Sequence, residues 1–190
     1  GLEGTDVQAA SDLGIVVANI PSDALEGNLN AVSCAEHAVY LAIALLRQQK
    51  AMARSVEARR LGQPQGDTLS GKRALVVGFG NIAQELLVRL QPFGMRLSCV
   101  RRSPWPVAAD ADASAASASA SASAPPASTA SRARAALDHA GAWGELGDLA
   151  AEADFIFLCV VQCPETLGLV GRDLLARCRD GVRIVNVARG

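Results

Sequence analysis

The chain has 190 residues, of which 50% are hydrophobic and 19% charged, and its 18 basic and 19 acidic side chains leave a formal net charge of −1. This balance gives no electrostatic footprint for nucleic acid or an anionic membrane surface, so we expect neither partner. The longest apolar stretches, such as AVYLAIALL at 38–46, are shorter than the roughly 20 residues that span a bilayer. We therefore expect a soluble protein.

The first elements in chain order are a strand and a long helix. GIVVAN at 14–19 is a short apolar run that precedes Ile20-Pro21 and is typical of a buried strand. No Pro or Gly occurs between Asn30 and about Arg60, which predicts one continuous helix. The first half of this helix is nearly all apolar and is expected to lie buried between layers. Its second half is polar and is expected at the surface.

The rest of the chain alternates strands with helices. The predicted strands are 74–77, 96–100, 153–161 and 182–188, and the predicted helices are 81–90 and about 171–178. The strands are continuously apolar instead of alternating, as in parallel sheets that are covered on both faces. The sequence therefore predicts an α/β fold with a doubly wound parallel sheet.

Residues 107–135 interrupt this order with an Ala/Ser/Pro tract, ADADASAASASASASAPPASTASRARA at 109–135 within it. The tract has few large apolar groups with which to offset its ordering entropy, so we expect a disordered surface insertion. Its alanines would also allow a short helix, but Ser at every second place argues against one.

The five cysteines are Cys34, Cys99, Cys159, Cys163 and Cys178. They form no CxxC pair, and the chain has only two histidines. We expect reduced, mostly buried thiols in a reducing compartment, either the cytoplasm or an organelle, and metal binding is the less favoured alternative. The chain opens without Met and stops at NVARG, so we expect a fragment and make no prediction about targeting.

A glycine motif joins the predicted strand 74–77 to the predicted helix 81–90. Gly78 permits a tight turn, Gly80 lets the backbone approach a ligand, and Ala83 keeps the helix close to the strand. The amides of Asn81 and Ile82 lie at the helix start, where partial positive charge favours a diphosphate. The pattern predicts dinucleotide binding, with a plain glycine turn as the alternative.

The end of the following strand indicates which dinucleotide binds. An acidic residue there would favour NAD, but this chain has Arg101, Arg102 and Ser103. These side chains could hold a 2′-phosphate through charge-assisted hydrogen bonds, which slightly favours NADP over NAD. The alternative is that both arginines are simply solvated before a turn.

Several stretches together resemble the D-isomer-specific 2-hydroxyacid dehydrogenases, a group that includes phosphoglycerate dehydrogenase and the glyoxylate/hydroxypyruvate reductases. They are GLEGTDVQAASDLGIVVANIP, AVSCAEHAVYLAIALLR, LSGKRALVVGFGNIAQELLVRLQPFGMRL and ADFIFLCVVQCPETLGLVGRDLLARCRDGVRIVNVARG. The resemblance implies a remnant of a flavodoxin-like substrate domain at 1–29, a crossover helix and connection at 30–65, and a truncated Rossmann-type NAD(P)-binding domain at 66–190. Ala83 in place of the commoner third glycine, the loop VVQCPET without its usual early proline, and the insertion are departures from the family pattern.

The resemblance also implies roles for single residues. Arg189 matches the catalytic arginine that binds the substrate carboxylate and polarises the 2-oxo group. Val187 and Ala188 would line the nicotinamide site, and Gly4 would lie near the substrate, with a plain turn glycine as the alternative. The family's histidine and its glutamate fall beyond the position of Arg189, so the chain by itself is expected to be nearly inactive.

The two histidines of this chain are not candidates for that proton relay. His37 and its neighbour Glu36 lie on the long predicted helix, where packing or an interface is the expected role, and His139 is expected to be solvated.

The predicted function is hydride transfer between NAD(P) and C2 of a small 2-hydroxy or 2-oxo acid, in a homodimer formed through the cofactor domain and the crossover helix. A dinucleotide-sensing scaffold or corepressor on the same domain is the alternative, and another NAD enzyme with a similar domain is a third. A Glu and a His after two further strands would favour the enzyme.

Overall fold

A computed structural model describes residues 5–18, 29–105 and 128–189 of the chain. Its helices are α1 (Val7–Asp12), α2 (Leu29–Leu46), α3 (Gln49–Glu57), α4 (Asn81–Leu90), α5 (Thr129–Ala135), α6 (Leu146–Glu152) and α7 (Arg172–Arg177). Its strands are β1 (Arg73–Val77), β2 (Arg96–Arg101), β3 (His139–Ala142), β4 (Phe155–Leu158) and β5 (Arg183–Asn186). The predicted strands at 74–77, 96–100, 153–161 and 182–188 are confirmed as β1, β2, β4 and β5, with ends that differ by up to three residues, and the predicted helices at 81–90 and 171–178 are confirmed as α4 and α7. The sequence did not predict the short elements β3 and α6.

The five strands of the described residues form one parallel sheet in the order β3-β2-β1-β4-β5. After β3 the chain crosses to the other side of β1, so the direction of winding reverses between β1 and β4. Open α/β sheets bind ligands at the carboxyl ends of their strands beside such a reversal. The predicted doubly wound parallel sheet is confirmed.

Helices cover both faces of this sheet. Side chains of β1 alternate between two cores: Ala74 and Val76 pack with α2, α4 and α5, whereas Leu75 and Val77 pack with α6 and α7. All four side chains are at most 1% exposed. Burial on both faces explains why β1 is continuously apolar from Ala74 to Val77, since neither side of its pleat meets water.

The predicted strand at 14–19 does not form within the described residues. Residues 15–18 have no strand assignment there, and Ile15 and Val16 are 57% and 90% exposed. Helix α1 precedes this run, and its first turn is capped by the Asp6 carboxylate, which accepts from the Ala9 amide at 2.9 Å. An apolar run predicts burial, but a strand also needs a neighbouring strand to pair its backbone, and the described residues offer none here.

The predicted single helix from Asn30 to about Arg60 is divided into α2 and α3. Gln48 breaks it with a left-handed backbone (φ 47°), and its side-chain amide donates to the Gln65 carbonyl at 3.3 Å. Propensity alone favours continuation here, so this contact with the following connection is a tertiary feature that the local sequence does not show.

Helix α2 buries one stripe and not its whole circumference. The stripe packs on α4 and consists of Ala31, Ala35, Ala38, Ala42 and Leu46. Leu29, Tyr40 and Leu45 on the same helix are 78%, 51% and 45% exposed. By length and composition alone α2 also passes the test for a membrane span, but its stripe belongs to the core of the sheet domain.

The end of the Ala/Ser tract is helical, which corrects the expectation of disorder for 129–135. Helix α5 begins where the Ser alternation stops, and the Ser128 hydroxyl accepts from the Ser131 amide at 3.2 Å. Ala133 is fully buried against the α4 side of the sheet. The N-cap and the buried face together stabilise this helix, and neither can be predicted from composition alone. The rest of the tract, 107–127, lies outside the described residues.

Candidate functional site

Four loops lie together at the carboxyl edge of the sheet because the strands end in register. Val77 of β1 is opposite Val100 of β2 and Leu158 of β4, and Leu158 is opposite Asn186 of β5. The loops that follow contribute residues to two adjacent cavities, which share Gly80 and Cys159–Val161.

The glycine turn after β1 is held against the neighbouring strand end. Gly78 has φ +99°, and its amide donates to the Val100 carbonyl at 2.8 Å. A Cβ at this position would lie 2.7 Å from the Cys159 carbonyl oxygen, so both conformation and space require glycine. A Cβ on Gly80 would meet nothing within 4 Å, so the turn is packed on one side and open on the other.

Helix α4 starts directly at this open side. Gly80 is its N-cap residue and supplies no capping side chain, while Ala83 in the first turn is fully buried in the core. The amino end of a helix carries partial positive charge. Gly80, Asn81 and Ile82 line the second cavity, so an anionic group can approach this end of α4.

The first cavity has a volume of about 290 Å³ and lies on the β2 side of Gly80. The residues that line it include Gly78, Phe79, Gly80, Arg101, Arg102, Ser103, Trp143, Cys163, Glu165 and Thr166. All three residues predicted to distinguish the dinucleotides therefore border one cavity with the glycine turn.

Aromatic rings hold Arg101 at the wall of this cavity. Its guanidinium carbon lies 5.4 Å from the centre of the Trp105 ring and 6.0 Å from that of Phe79, and the two rings meet edge to face at 4.8 Å. The Trp105 indole N–H donates to the Gly141 carbonyl at 2.9 Å. Cation–π contacts of this kind restrict the arginine without neutralising its charge.

Arg102 faces a carboxylate at the same cavity. Its Nη1 lies 3.4 Å from Oε2 of Glu165, and both side chains are more than half exposed. The pKa of Glu165 is lowered, first by a hydrogen bond with the Cys163 thiol, then by a backbone hydrogen bond and by the charge of Arg102. The loop carrying Glu165 is fixed by Thr166, whose hydroxyl accepts from the Cys163 amide at 2.9 Å and donates to the Val161 carbonyl at 2.8 Å.

The second cavity, of about 360 Å³, lies on the β5 side of Gly80. It is lined by Asn30, Ala31, Gly80, Asn81, Ile82, Cys159, Val160, Val161, Gln162, Val187, Ala188 and Arg189. The Arg189 side chain is exposed, and its Nη1 donates to the Ala188 carbonyl at 2.9 Å. The predicted nicotinamide-side residues and the predicted catalytic arginine thus share one cavity.

Asn186 shapes the turn that carries Arg189. Its Oδ1 accepts from the Ala188 amide and its Nδ2 donates to the Arg189 carbonyl, both at 2.9 Å. This side chain therefore fixes the backbone beneath the guanidinium. Asn186 was not among the residues predicted from the sequence, although Asn at a strand end is a known signal for a turn stabilised by its own side chain.

Two of the five cysteines belong to the core: Cys99 lies within it, and Cys159, which also lines both cavities, packs against it. All five are free thiols, of which Cys99 is buried and the other four are half-buried. Burial raises the pKa of Cys99 and of Cys159 to about 12. Among the described residues no group of three His, Cys, Asp or Glu side chains is arranged to hold a metal ion.

The remaining sequence candidates lie elsewhere. Gly4 is outside the described residues. On α2, Glu36 lies 3.5 Å from the Arg89 guanidinium of α4, and the His37 ring is 5.7 Å from that of Tyr40. His139 begins β3 and makes a 2.8 Å contact with Glu145, with both side chains nearly half exposed. Glu165 also escaped the sequence reasoning, since nothing local links it to an arginine 63 residues away.

Comparison with known proteins identifies the family. The family model for the D-isomer specific 2-hydroxyacid dehydrogenase NAD binding domain matches residues 39–125 and 122–190. D-3-phosphoglycerate dehydrogenase of Mycobacterium bovis is 33% identical over 192 residues, with 100% of this chain and 30% of that protein covered. Hydroxypyruvate reductase of Thermotoga maritima is 31% identical over 195 residues, with 100% and 51% covered.

Solved structures agree with this result. The apo-structure of D-lactate dehydrogenase from Escherichia coli superposes with a TM-score of 0.69 at 26% identity, covering 100% of this chain and 50% of that one. D-lactate dehydrogenase from Aquifex aeolicus, complexed with NAD and lactic acid, gives 0.74 at 21% identity with 100% and 48% covered, which shows the fold alone. The chain spans 30% of the length of the first of these curated relatives and 51% of the length of the second. The resemblance predicted from sequence is confirmed, and the chain belongs to the D-isomer-specific 2-hydroxyacid dehydrogenase family through its NAD-binding domain.

Proposed function

We propose that this protein transfers a hydride between NAD(P) and C2 of a small 2-hydroxy or 2-oxo acid. One observation carries the proposal: two cavities meet at Gly80, with Arg101–Ser103 on one side and Val187–Arg189 on the other. A dinucleotide has the same layout, with a diphosphate between an adenosine end and a nicotinamide end. Family membership supports the general oxidoreductase chemistry.

In this proposal the diphosphate rests at Gly80 and the first turn of α4. Helix dipole and backbone amides favour the negative charge there, and the absent Cβ lets the chain approach closely. The adenosine end lies beside Arg101, Arg102 and Ser103 in the first cavity, and the nicotinamide beside Val187 and Ala188 in the second. When bound there, a nicotinamide would supply or accept the hydride.

Arg189 is proposed to bind the substrate carboxylate and to polarise the 2-oxo group. A guanidinium offers paired donors to a carboxylate, and Arg189 borders the nicotinamide-side cavity. To do so its Nη1 must exchange the Ala188 carbonyl for the substrate. For the proton we propose a histidine held by a glutamate, as the family resemblance implies, and neither His37 nor His139 is proposed for that role.

We also propose that NADP is preferred over NAD, because two arginines and a serine border the first cavity where an acidic residue would select NAD. The test is a titration with NADH and with NADPH that follows tryptophan fluorescence, since Trp143 lines the cavity and Trp105 contacts Arg101. We expect saturable binding of both, tighter for NADPH.

Arg101→Asp should weaken NADPH binding by about tenfold more than NADH binding, since it replaces an attractive charge beside a phosphate by a repulsive one. Arg96→Asp at the opposite end of β2 is the control with the same change in net charge. Equal effects of Arg101→Asp on both dinucleotides would contradict the NADP preference. Lack of binding of either dinucleotide at millimolar concentration would refute the proposed function itself.

Homodimer formation through α2 is a further part of the proposal, taken from the family resemblance. Tyr40 and Leu45 leave apolar surface exposed on the side of α2 that does not face the core. Exposed apolar groups clustered on one helix favour a protein partner.

A further inference from the structure

We infer that Glu165 is a specificity-determining residue: its carboxylate is the counter-charge of Arg102 and limits how strongly the first cavity selects a 2′-phosphate. The inference rests on the proposed function, because it concerns which dinucleotide the cavity prefers. It assigns a role to the loop after β4, whereas the sequence pattern located selectivity only in the loop after β2.

The two arginines of the cavity are held in different ways. Arg101 is half-buried and lies over the rings of Phe79 and Trp105, and no described carboxylate pairs with it. Arg102 is 64% exposed, and its guanidinium lies 3.4 Å from the Glu165 carboxylate, itself 59% exposed. Arg102, the arginine with more freedom to turn towards a ligand, is therefore the one that is already paired with a carboxylate.

The surroundings keep Glu165 ionised. The Cys163 thiol and the Arg102 guanidinium both lower its pKa, so the carboxylate carries its full charge at neutral pH. The Cys163 sulfur is also 3.8 Å from Arg102 Nη1, which places all three groups at one point of the cavity wall. The hydrogen bond from the Cys163 amide to the Thr166 hydroxyl fixes the loop, so that Cys163 and Glu165 stay at the wall of the cavity.

The consequence differs for the two dinucleotides. A 2′-phosphate must displace the Glu165 carboxylate from Arg102 and then lie close to it, so attraction to the arginine is offset by repulsion from the carboxylate. A ribose 2′-hydroxyl meets no such repulsion and can donate to the carboxylate. Because the pair is exposed and screened by salt, the effect is moderate, roughly threefold to tenfold in affinity.

The test is the variant Glu165→Gln, measured by the same fluorescence titration at low ionic strength. We expect the dissociation constant for NADPH to fall by about threefold to tenfold and that for NADH to change by less than about twofold. Glu152→Gln is the matched control, because Glu152 pairs with Arg73 at 2.9 Å at the amino-terminal edge of the sheet. It should leave both constants unchanged.

A double-variant cycle separates charge pairing from a general change in the loop. Arg102→Gln should weaken NADPH binding. Glu165→Gln should then increase the NADPH affinity of the Arg102→Gln variant by a smaller factor than it increases that of the parent protein. The gain should also shrink at about 0.5 M salt. An unchanged or weakened NADPH affinity in Glu165→Gln, or equal gains for NADH, overturns the inference while leaving the proposed function intact. Only the absence of binding in the parent protein would remove both.

Discussion

Gly78→Ala is the perturbation whose cost the structure defines most closely. The residue has φ +99°, and its new methyl group would lie 2.7 Å from the Cys159 carbonyl oxygen and 3.2 Å from Val160 Cγ1. A backbone conformation that L-residues rarely adopt costs about 1–3 kcal/mol, and overpacking against atoms that cannot move adds about 1–3 kcal/mol. We expect a loss of about 2–6 kcal/mol, a large part of a typical domain's stability.

The assay is urea and thermal unfolding followed by circular dichroism, with Gly80→Ala as the matched control. For a chain of this length the expected loss lowers the melting temperature by at least about 4 °C. Gly80 has φ −79° and nothing within 4 Å of a Cβ, so Gly80→Ala should cost no more than about 1 kcal/mol, from the poorer N-cap. The same methyl group would occupy the proposed diphosphate position, so NADH binding should weaken by at least tenfold.

The two variants therefore separate a structural glycine from a ligand-facing one. Parent-like unfolding of Gly78→Ala would show that the turn is not packed against the β4 end as described. Parent-like binding of NADH by Gly80→Ala would show that the diphosphate does not approach this residue.

Three further expectations concern substrate, pH and assembly. Arg189→Gln should weaken binding of a 2-oxo acid to the NADH-loaded protein by at least tenfold in calorimetry with little change for NADH, and equal losses would refute its proposed role. Because burial raises the pKa of Cys99 and Cys159 from 9.0 to about 12, the unfolded state releases these protons first, so the free energy of unfolding should fall as pH rises from about 9 to 12. Replacing both by Ala should flatten that fall in urea titrations, and an unaltered profile would contradict it. Tyr40→Glu should convert a dimer to a monomer in light scattering, whereas a monomeric parent would refute assembly through α2.

Four of the five strands in the described residues, all but β3, and the glycine turn could be predicted because their causes are local. A strand buried on both faces must be apolar throughout, as β4 at 155–158 is, and such runs separated by helical segments specify a parallel sheet. The turn between β1 and α4 has a positive φ at Gly78, which favours glycine, so the sequence itself shows where the turn lies. The match of several separate stretches also indicated the family, because the family motifs are carried by the residues themselves.

The secondary-structure predictions were wrong where the conformation of one segment depends on contacts with another segment. The run at 14–18 is apolar but has no strand to pair with in the described part of the chain, and the helix breaks at Gln48, whose side chain contacts the Gln65 carbonyl. Helix α5 is stabilised because Ala133 packs into the core on the α4 side of the sheet. Propensity and composition do not contain these partners.

By itself, the sequence determined the fold class, the family and the position of the dinucleotide motif, because periodicity and glycine requirements act over a few residues. Only the tertiary structure decided how the motif's neighbours are arranged. It brought the loops after β2 and β4 together so that Arg102 meets Glu165, and it placed the Trp105 indole N–H against the Gly141 carbonyl. Such pairings depend on strand order and register, which bring distant residues within a few ångströms of each other and leave no local trace in the chain.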